Sequence, residues 1–237
     1  MTIAAVIVGV LIVVVVGIGQ LGGRVSGTFE DPAMAYPAAL LDGANLGKAD
    51  APVVMQVYED YQCPVCAKYS LDVEPVLVSQ YVAAGTLRIE HNDLGILGNP
   101  RVPPAENESI IPARGAFCAN EQGKYWDYAH WIYANQDGEN TGGFRRDRVV
   151  AIAEAAGVEP VAFNACLDAT AAATAVDAAN AKATELGINS TPTVYIGGKK
   201  YVGLKSAVEL GALIEAELAA SSAPPSASPG ASASAVP

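Results

Sequence analysis

Positive charge is scarce in this 237-residue chain: 14 Lys and Arg stand against 25 Asp and Glu, a formal charge of −11. Nucleic acid and anionic lipid surfaces both require a positive footprint, so neither is expected as a partner. Histidine occurs only twice and cysteine only four times. Their spacing supplies no clustered tetrahedral ligand set, so no metal site is expected. No internal repeat is present. Outside one N-terminal stretch there is no apolar run long enough for a membrane, and the remainder has the balance of an ordinary soluble domain.

That stretch is Ile3 to Gly19, seventeen residues without a charged or strongly polar side chain. It sits at the lower limit for crossing a bilayer, and Gln20, Leu21 and Gly22 extend it slightly. A single transmembrane anchor over residues 1–22 is therefore expected. The competing reading is a cleaved secretory signal. Against it, the run is long for a signal core, and the small-residue site at Ala33–Met34–Ala35 lies well beyond its end. Flanking charge does not orient the span, since only the α-amino group precedes it and Arg24 follows it.

Residues 23–47 read as a linker, Gly-rich and then Pro- and Ala-rich without a period. Residues 221–237 are almost only Ser, Ala, Pro and Gly, a composition that cannot offset its ordering entropy, so a disordered tail is expected. In between, Val53 to Tyr58 reads as a buried strand and Cys63 to Val82 as a helix. Pro64 falls in the first turn of that helix, where a missing N–H is harmless, and Pro75 should kink it. Thr86 to His91 reads as a second strand, and Gly95 to Pro112 as an irregular crossover. A helical block follows to about Gly187. Thr193–Ile196 and Lys199–Val202 then flank Gly197–Gly198 as a hairpin, before a last amphipathic helix, Ser206 to Ala219. The pattern is α/β, residues 48–94 and 176–220, with an all-helical insertion over 95–175.

Four cysteines allow three full pairings. Cys63 and Cys66, two residues apart, fall where a strand gives way to a helix N-terminus. Unpaired N–H groups and the partial positive charge there favour thiolate over thiol. Cys63, at the more exposed end, would attack or be attacked, and Cys66, one turn in, would resolve the mixed disulfide. Half of a zinc site and a purely structural disulfide are the bland alternatives. The second signal is Ser190–Thr191–Pro192–Thr193, directly before the hairpin.

Together these segments resemble DsbA-like thiol–disulfide oxidoreductases of the thioredoxin-like superfamily. Val57-Tyr58-Glu59-Asp60-Tyr61-Gln62-Cys63-Pro64-Val65-Cys66 resembles their active-site segment. Phe117 to Trp126 looks like a helix of their inserted domain, and Leu186 to Thr193 with Gly197-Gly198-Lys199 looks like their cis-proline strand and hairpin. The resemblance covers about 48–220. It implies a thioredoxin-like fold with an all-helical insertion, here preceded by a single N-terminal transmembrane helix. It also implies Cys63 as nucleophile, Cys66 as resolving thiol, Pro64 and Val65 as the active-site dipeptide, and a cis Pro192 beside the pair. The backbone of Thr191 would then bind extended substrate.

The departures matter as much. Where many relatives carry a buried acid, six residues before the first cysteine, this chain has Val57. Glu59 and Asp60 are close by, but strand alternation sends them to opposite faces. They read first as surface acids, with a proton-relay role for one of them as the alternative. Val65 can neither donate a hydrogen bond nor lend charge to the thiolate, so thiolate stabilisation must be weaker or come from elsewhere. In an oxidising compartment Cys118 and Cys166, 48 positions apart in the helical insertion, are expected to pair. The aromatic series Tyr125, Trp126, Tyr128, Trp131 and Tyr133 reads as packing, and His91 and His130 as structural or exposed.

The resulting expectation is a monomeric, cofactor-free disulfide-donating oxidase for exported proteins with cysteines, single-pass in the cytoplasmic membrane with its catalytic domain on the extracytoplasmic side. By family analogy a quinone-linked membrane protein would reoxidise it. A membrane-tethered reductase or isomerase is the alternative, and a non-catalytic metallochaperone or scaffold of the same fold a more distant one.

Overall fold

The computed structural model describes residues 28–222, so the expected anchor over 1–22 and most of the tail lie outside the described residues. Among the described residues no helix is long and apolar enough to cross a membrane.

Six strands form one sheet in the order β1-β2-β4-β3-β5-β6: β1 (Leu41–Asp42), β2 (Asn45–Leu46), β3 (Val53–Asp60), β4 (Leu87–Leu94), β5 (Thr193–Ile196) and β6 (Lys199–Val202). The central pair, β3 and β4, is parallel, as a strand–helix–strand crossover requires. All other neighbours are antiparallel. β3 is apolar along most of its length because it is central and covered on both faces. The β5–β6 hairpin forms over the residues read for it. Gly197 and Gly198 both take positive φ, +57° and +71°, in its two-residue turn.

The crossover helix α1 is irregular. Helical segments Pro64–Lys68, Tyr69–Val73, Glu74–Leu77 and Val78–Val82 run end to end, and the second and fourth are π-turns. Pro75 cannot donate to the carbonyl four residues back. The wide turn before it adapts instead, and the Glu74 N–H bonds Tyr69 O. The insertion contributes α2 (Ile110–Asn120), α3 (Tyr125–Ala134), α4 (Arg146–Ala155) and α5 (Pro160–Cys166), and α6 (Thr170–Glu185) leads back towards the sheet. α2 and α6 pack on β4, α3 on α1, and the last helix, α7 (Ala207–Ser222), on α1 and β3. One apolar core runs from the sheet through α1 into the insertion, including Val57, Leu77, Ile89, Tyr128, Ile132 and Phe163.

Three boundaries differ from the sequence reading. The stretch taken as linker up to residue 47 is built into the fold, because β1 and β2 extend the sheet beside β4. The strap before them, from residue 28, is tied down too: Asn135 accepts from Glu30 N at 2.8 Å and donates to Glu30 O at 2.9 Å. The expected boundary at 175/176 falls inside α6, which is continuous, and α7 runs into the stretch read as tail.

Candidate active site

β3 ends by delivering Cys63 to the N-cap of α1, with extended backbone (φ −72°, ψ 116°) and Pro64 at the first helical position. The N–H groups of Cys66 and Ala67 bond Cys63 O, closing the first turn. Cys63 is 5% exposed and Cys66 fully buried, while Pro64 and Val65 stand exposed beside them. Both thiols are free. Across from them the Thr191–Pro192 peptide is cis, and the Cys63 thiol donates to Thr191 O at 3.4 Å. The C-x-x-C pair and the Thr-Pro pair, 128 residues apart, thus meet at one place.

The two thiols are strongly differentiated. Cys63 is lowered to about 6, first by the Cys66 S–H, then by Thr191 and by the backbone N–H groups of Cys66 and Val65. The Thr191 hydroxyl is buried and makes no well-formed hydrogen bond among the described residues, which leaves it unengaged beside the Cys63 sulfur. Thiolate stabilisation therefore comes from the helix start and from Thr191, not from the Val65 side chain. Burial pushes the Cys66 thiol well up, and the hydrogen bond it gives to Cys63 and the nearby Glu59 charge push it further.

Glu59 and Asp60 are not surface acids; both are buried. The alternation assigned them correctly to opposite faces, but this central strand is covered on both. Asp60 anchors the loop: it accepts from Gln62 N (3.0 Å), Ile96 N (2.9 Å), Leu97 N (3.0 Å) and the Ser109 hydroxyl. Two further residues that the sequence reading missed grip the same loop. Gln136 Nε2 donates to Tyr61 O (2.5 Å) and Cys63 O (3.0 Å), and Asn140 N donates to Gln62 Oε1 (2.6 Å). Both lie in an irregular segment after α3, where no sequence pattern marks them.

Glu59 faces the core below Cys66, where burial raises its carboxyl to about 7 despite the neighbouring His91. Of the two readings for His91, structural holds and exposed does not: its ring stands between Glu59 and Glu74 and packs edge-on against Trp126 at 4.9 Å. Tyr125, Trp126, Tyr128 and Tyr133 are buried packing residues of α3. In the insertion, Cys118 and Cys166 are joined by a disulfide, with Cα atoms 5.7 Å apart. Among the described residues no three His, Cys, Asp or Glu side chains are grouped to hold a metal ion.

A sequence model of the thioredoxin family matches residues 41–216. Disulfide bond formation protein D of Bacillus subtilis is 24% identical over 178 residues, covering 73% of this chain and 76% of the relative. The fold is similar to the crystal structure of oxidised BdbD from Bacillus subtilis: TM-score 0.64 at 21% identity, covering 75% of this chain and 93% of that one. A Na(+)/H(+) antiporter NhaA 1 of Mycolicibacterium vanbaalenii is 26% identical over 174 residues, but the chain spans only 26% of its length. A helix-start C-x-x-C opposite a Thr-Pro turn, on a sheet matched by these relatives over most of its length, leaves one assignment: the chain belongs to the thioredoxin family and is a DsbA-like thiol–disulfide oxidoreductase.

Proposed function

We propose that the chain is a disulfide-donating oxidase for exported proteins, anchored by residues 1–22 with its active site on the extracytoplasmic side. Cys63 is the sulfur that substrates attack and Cys66 the resolving thiol. Pro64 and Val65 form the exposed rim, and the backbone at Thr191–Pro192 pairs with an extended substrate segment. A quinone-linked membrane protein restores the disulfide, and the enzyme works as a monomer without a cofactor.

The observation that carries this reading is the split between the thiols, Cys63 at about 6 and Cys66 far above the usual thiol range. A low-pKa sulfur stabilises the reduced pair as a thiolate and leaves readily from a mixed disulfide. Both effects favour handing the disulfide on. The outward location rests on the N-terminal apolar stretch and on the disulfide between Cys118 and Cys166, since such bonds persist in oxidising compartments. Equilibrating the full-length chain with glutathione tests the direction. A potential of about −120 to −180 mV fits disulfide donation, whereas about −270 mV means that electrons flow the other way.

A further inference from the structure

Beyond Glu90, β4 has no strand partner on its β2 side. The β1–β2 hairpin turns at Gly43–Ala44, so β2 begins only at Asn45, opposite Glu90, and leaves the next three residues of β4 unpaired there. α2 and α6 stand over this unpaired edge. They meet it through Ala113, Ala116, Ala175 and Ala179, side chains too short to close the gap. An open cleft of about 370 Å³ results, following β4 from His91 to Asp93. It has room for about a dozen non-hydrogen atoms.

The polar groups around this cleft are under-used. The Asp93 carboxylate accepts one hydroxyl, that of Tyr125, at 3.0 Å from each oxygen. A carboxylate has about four lone-pair sites, and a buried one is normally filled with donors. Burial raises the Asp93 carboxyl, and the one cation that pulls it back, His91, is already held between Glu59 and Glu74. Asn92 donates its amide to Val57 O and Glu90 O, both at 3.3 Å, and its side-chain oxygen accepts nothing among the described residues. Lys182 of α6 borders the same cleft, exposed and without an ion pair among the described residues. Holding Tyr125 does not explain this arrangement. A neutral asparagine would hold that hydroxyl without burying a charge, and larger apolar side chains on α2 and α6 would fill the gap. The charges also lie on different sides. Strand alternation puts Asp93 on the face of β4 with His91, whereas Asn92 shares the other face with Leu94, on which α6 packs.

We propose that this cleft binds a small organic zwitterion lying across the β4 edge, with its ammonium against Asp93 and its anionic end at Lys182. The body between the two charges is apolar and slim, because the walls that it touches are alanines. The ammonium brings the donors that the Asp93 oxygens lack, and a charge-assisted bond of this kind is stronger than the one that Tyr125 supplies. The free Asn92 oxygen lies along the way and takes one further N–H or O–H of the ligand. This site is separate from the Cys63–Cys66 pair and does not depend on the direction of electron flow.

Calorimetric titration of the full-length chain in detergent tests it with three probes: 4-(aminomethyl)benzoate, benzylamine and 4-methylbenzoate. The zwitterion should bind tightest, and 4-methylbenzoate, which lacks the ammonium, at least about 10-fold more weakly. Asp93→Asn should cost both amines at least about 10-fold and leave 4-methylbenzoate unchanged. Lys182→Met should erase the advantage of the zwitterion over benzylamine. Ala175→Leu narrows the cleft from a half-buried helix position with both charges in place. It should abolish binding of all three probes, and it decides the matter if Asp93→Asn does not fold. Unchanged amine affinity in Asp93→Asn overturns the ammonium end, and unchanged affinity in Ala175→Leu overturns the cleft. No saturable binding of any probe at about 10 mM overturns the proposal as a whole. Thiol exchange plays no part in these readouts, so a chain that binds the zwitterion but does not exchange disulfides overturns the oxidase reading alone.

Discussion

Gln136 donates to the backbone carbonyl of Cys63 at 3.0 Å, so the helical insertion holds the nucleophile's own peptide group. The neighbouring residue, Asn135, holds the strap through Glu30. Replacing Gln136 by Leu removes two hydrogen bonds from buried carbonyls and should lower stability by about 2 kcal/mol in urea denaturation. It should also raise the Cys63 pKa, because the first turn of α1 loses its outer clamp. An unchanged thiolate titration would separate the clamp from the chemistry.

The Cys66 S–H is the largest contribution lowering Cys63. Cys66→Ala should therefore move the midpoint of Cys63 alkylation from about 6 towards the ordinary thiol range. It should also trap substrates as mixed disulfides, since no resolving thiol remains. Cys63→Ala should abolish exchange altogether. The rate of iodoacetamide labelling against pH reads the first effect, and non-reducing gels read the second.

Glu59 should make the fold less stable as the solution becomes alkaline. Its folded-state pKa is raised to about 7 from 4.5, so between those values the native state binds the proton that the unfolded chain has released. Stability then falls as pH rises through this window and stays low above it. Glu59→Gln should be flatter across the window and gain up to about 3 kcal/mol over wild type at pH about 8. Chemical denaturation at two pH values checks the sign. A variant less stable than wild type at the higher pH would mean that Glu59 is an ordinary structural ion-pair partner.

Removing the insertion's disulfide, as Cys118→Ala with Cys166→Ala, releases a loop closed over a sequence separation of 48. On chain entropy this costs about 4 kcal/mol. Exchange by Cys63–Cys66 should persist below the lowered melting temperature, because the bond lies outside the active site. Calorimetry and a turnover assay at low temperature read the two consequences separately.

What was legible in the sequence is what local rules fix. The start of α1 follows from Cys63 and Pro64, and the β5–β6 hairpin from Gly197 and Gly198, each within a few residues. The buried Glu59–His91–Glu74 cluster was not legible, because it depends on the β3–β4 register. That register pairs Val57 with His91 and Glu59 with Asp93, which turns all four towards one face. An alternation pattern says only that Glu59 and Asp60 diverge, not that both sides are covered. Glu74 reaches this cluster from the position just after a π-turn, whose register no helical period predicts. The order of residues 28–46 was equally hidden. Its anchors, Asn135 for Glu30 and β4 for β2, lie far along the chain.

The bond between Cys118 and Cys166 makes the protein a client as well as a catalyst. A newly made copy emerges with four thiols and reaches its finished form only when two of them are oxidised. If the proposed direction of exchange holds, mature copies donate that very bond, and the population ripens its own recruits. Its melting temperature after a reducing insult should then recover with a lag followed by acceleration, while exchange by Cys63–Cys66 does not wait for that recovery.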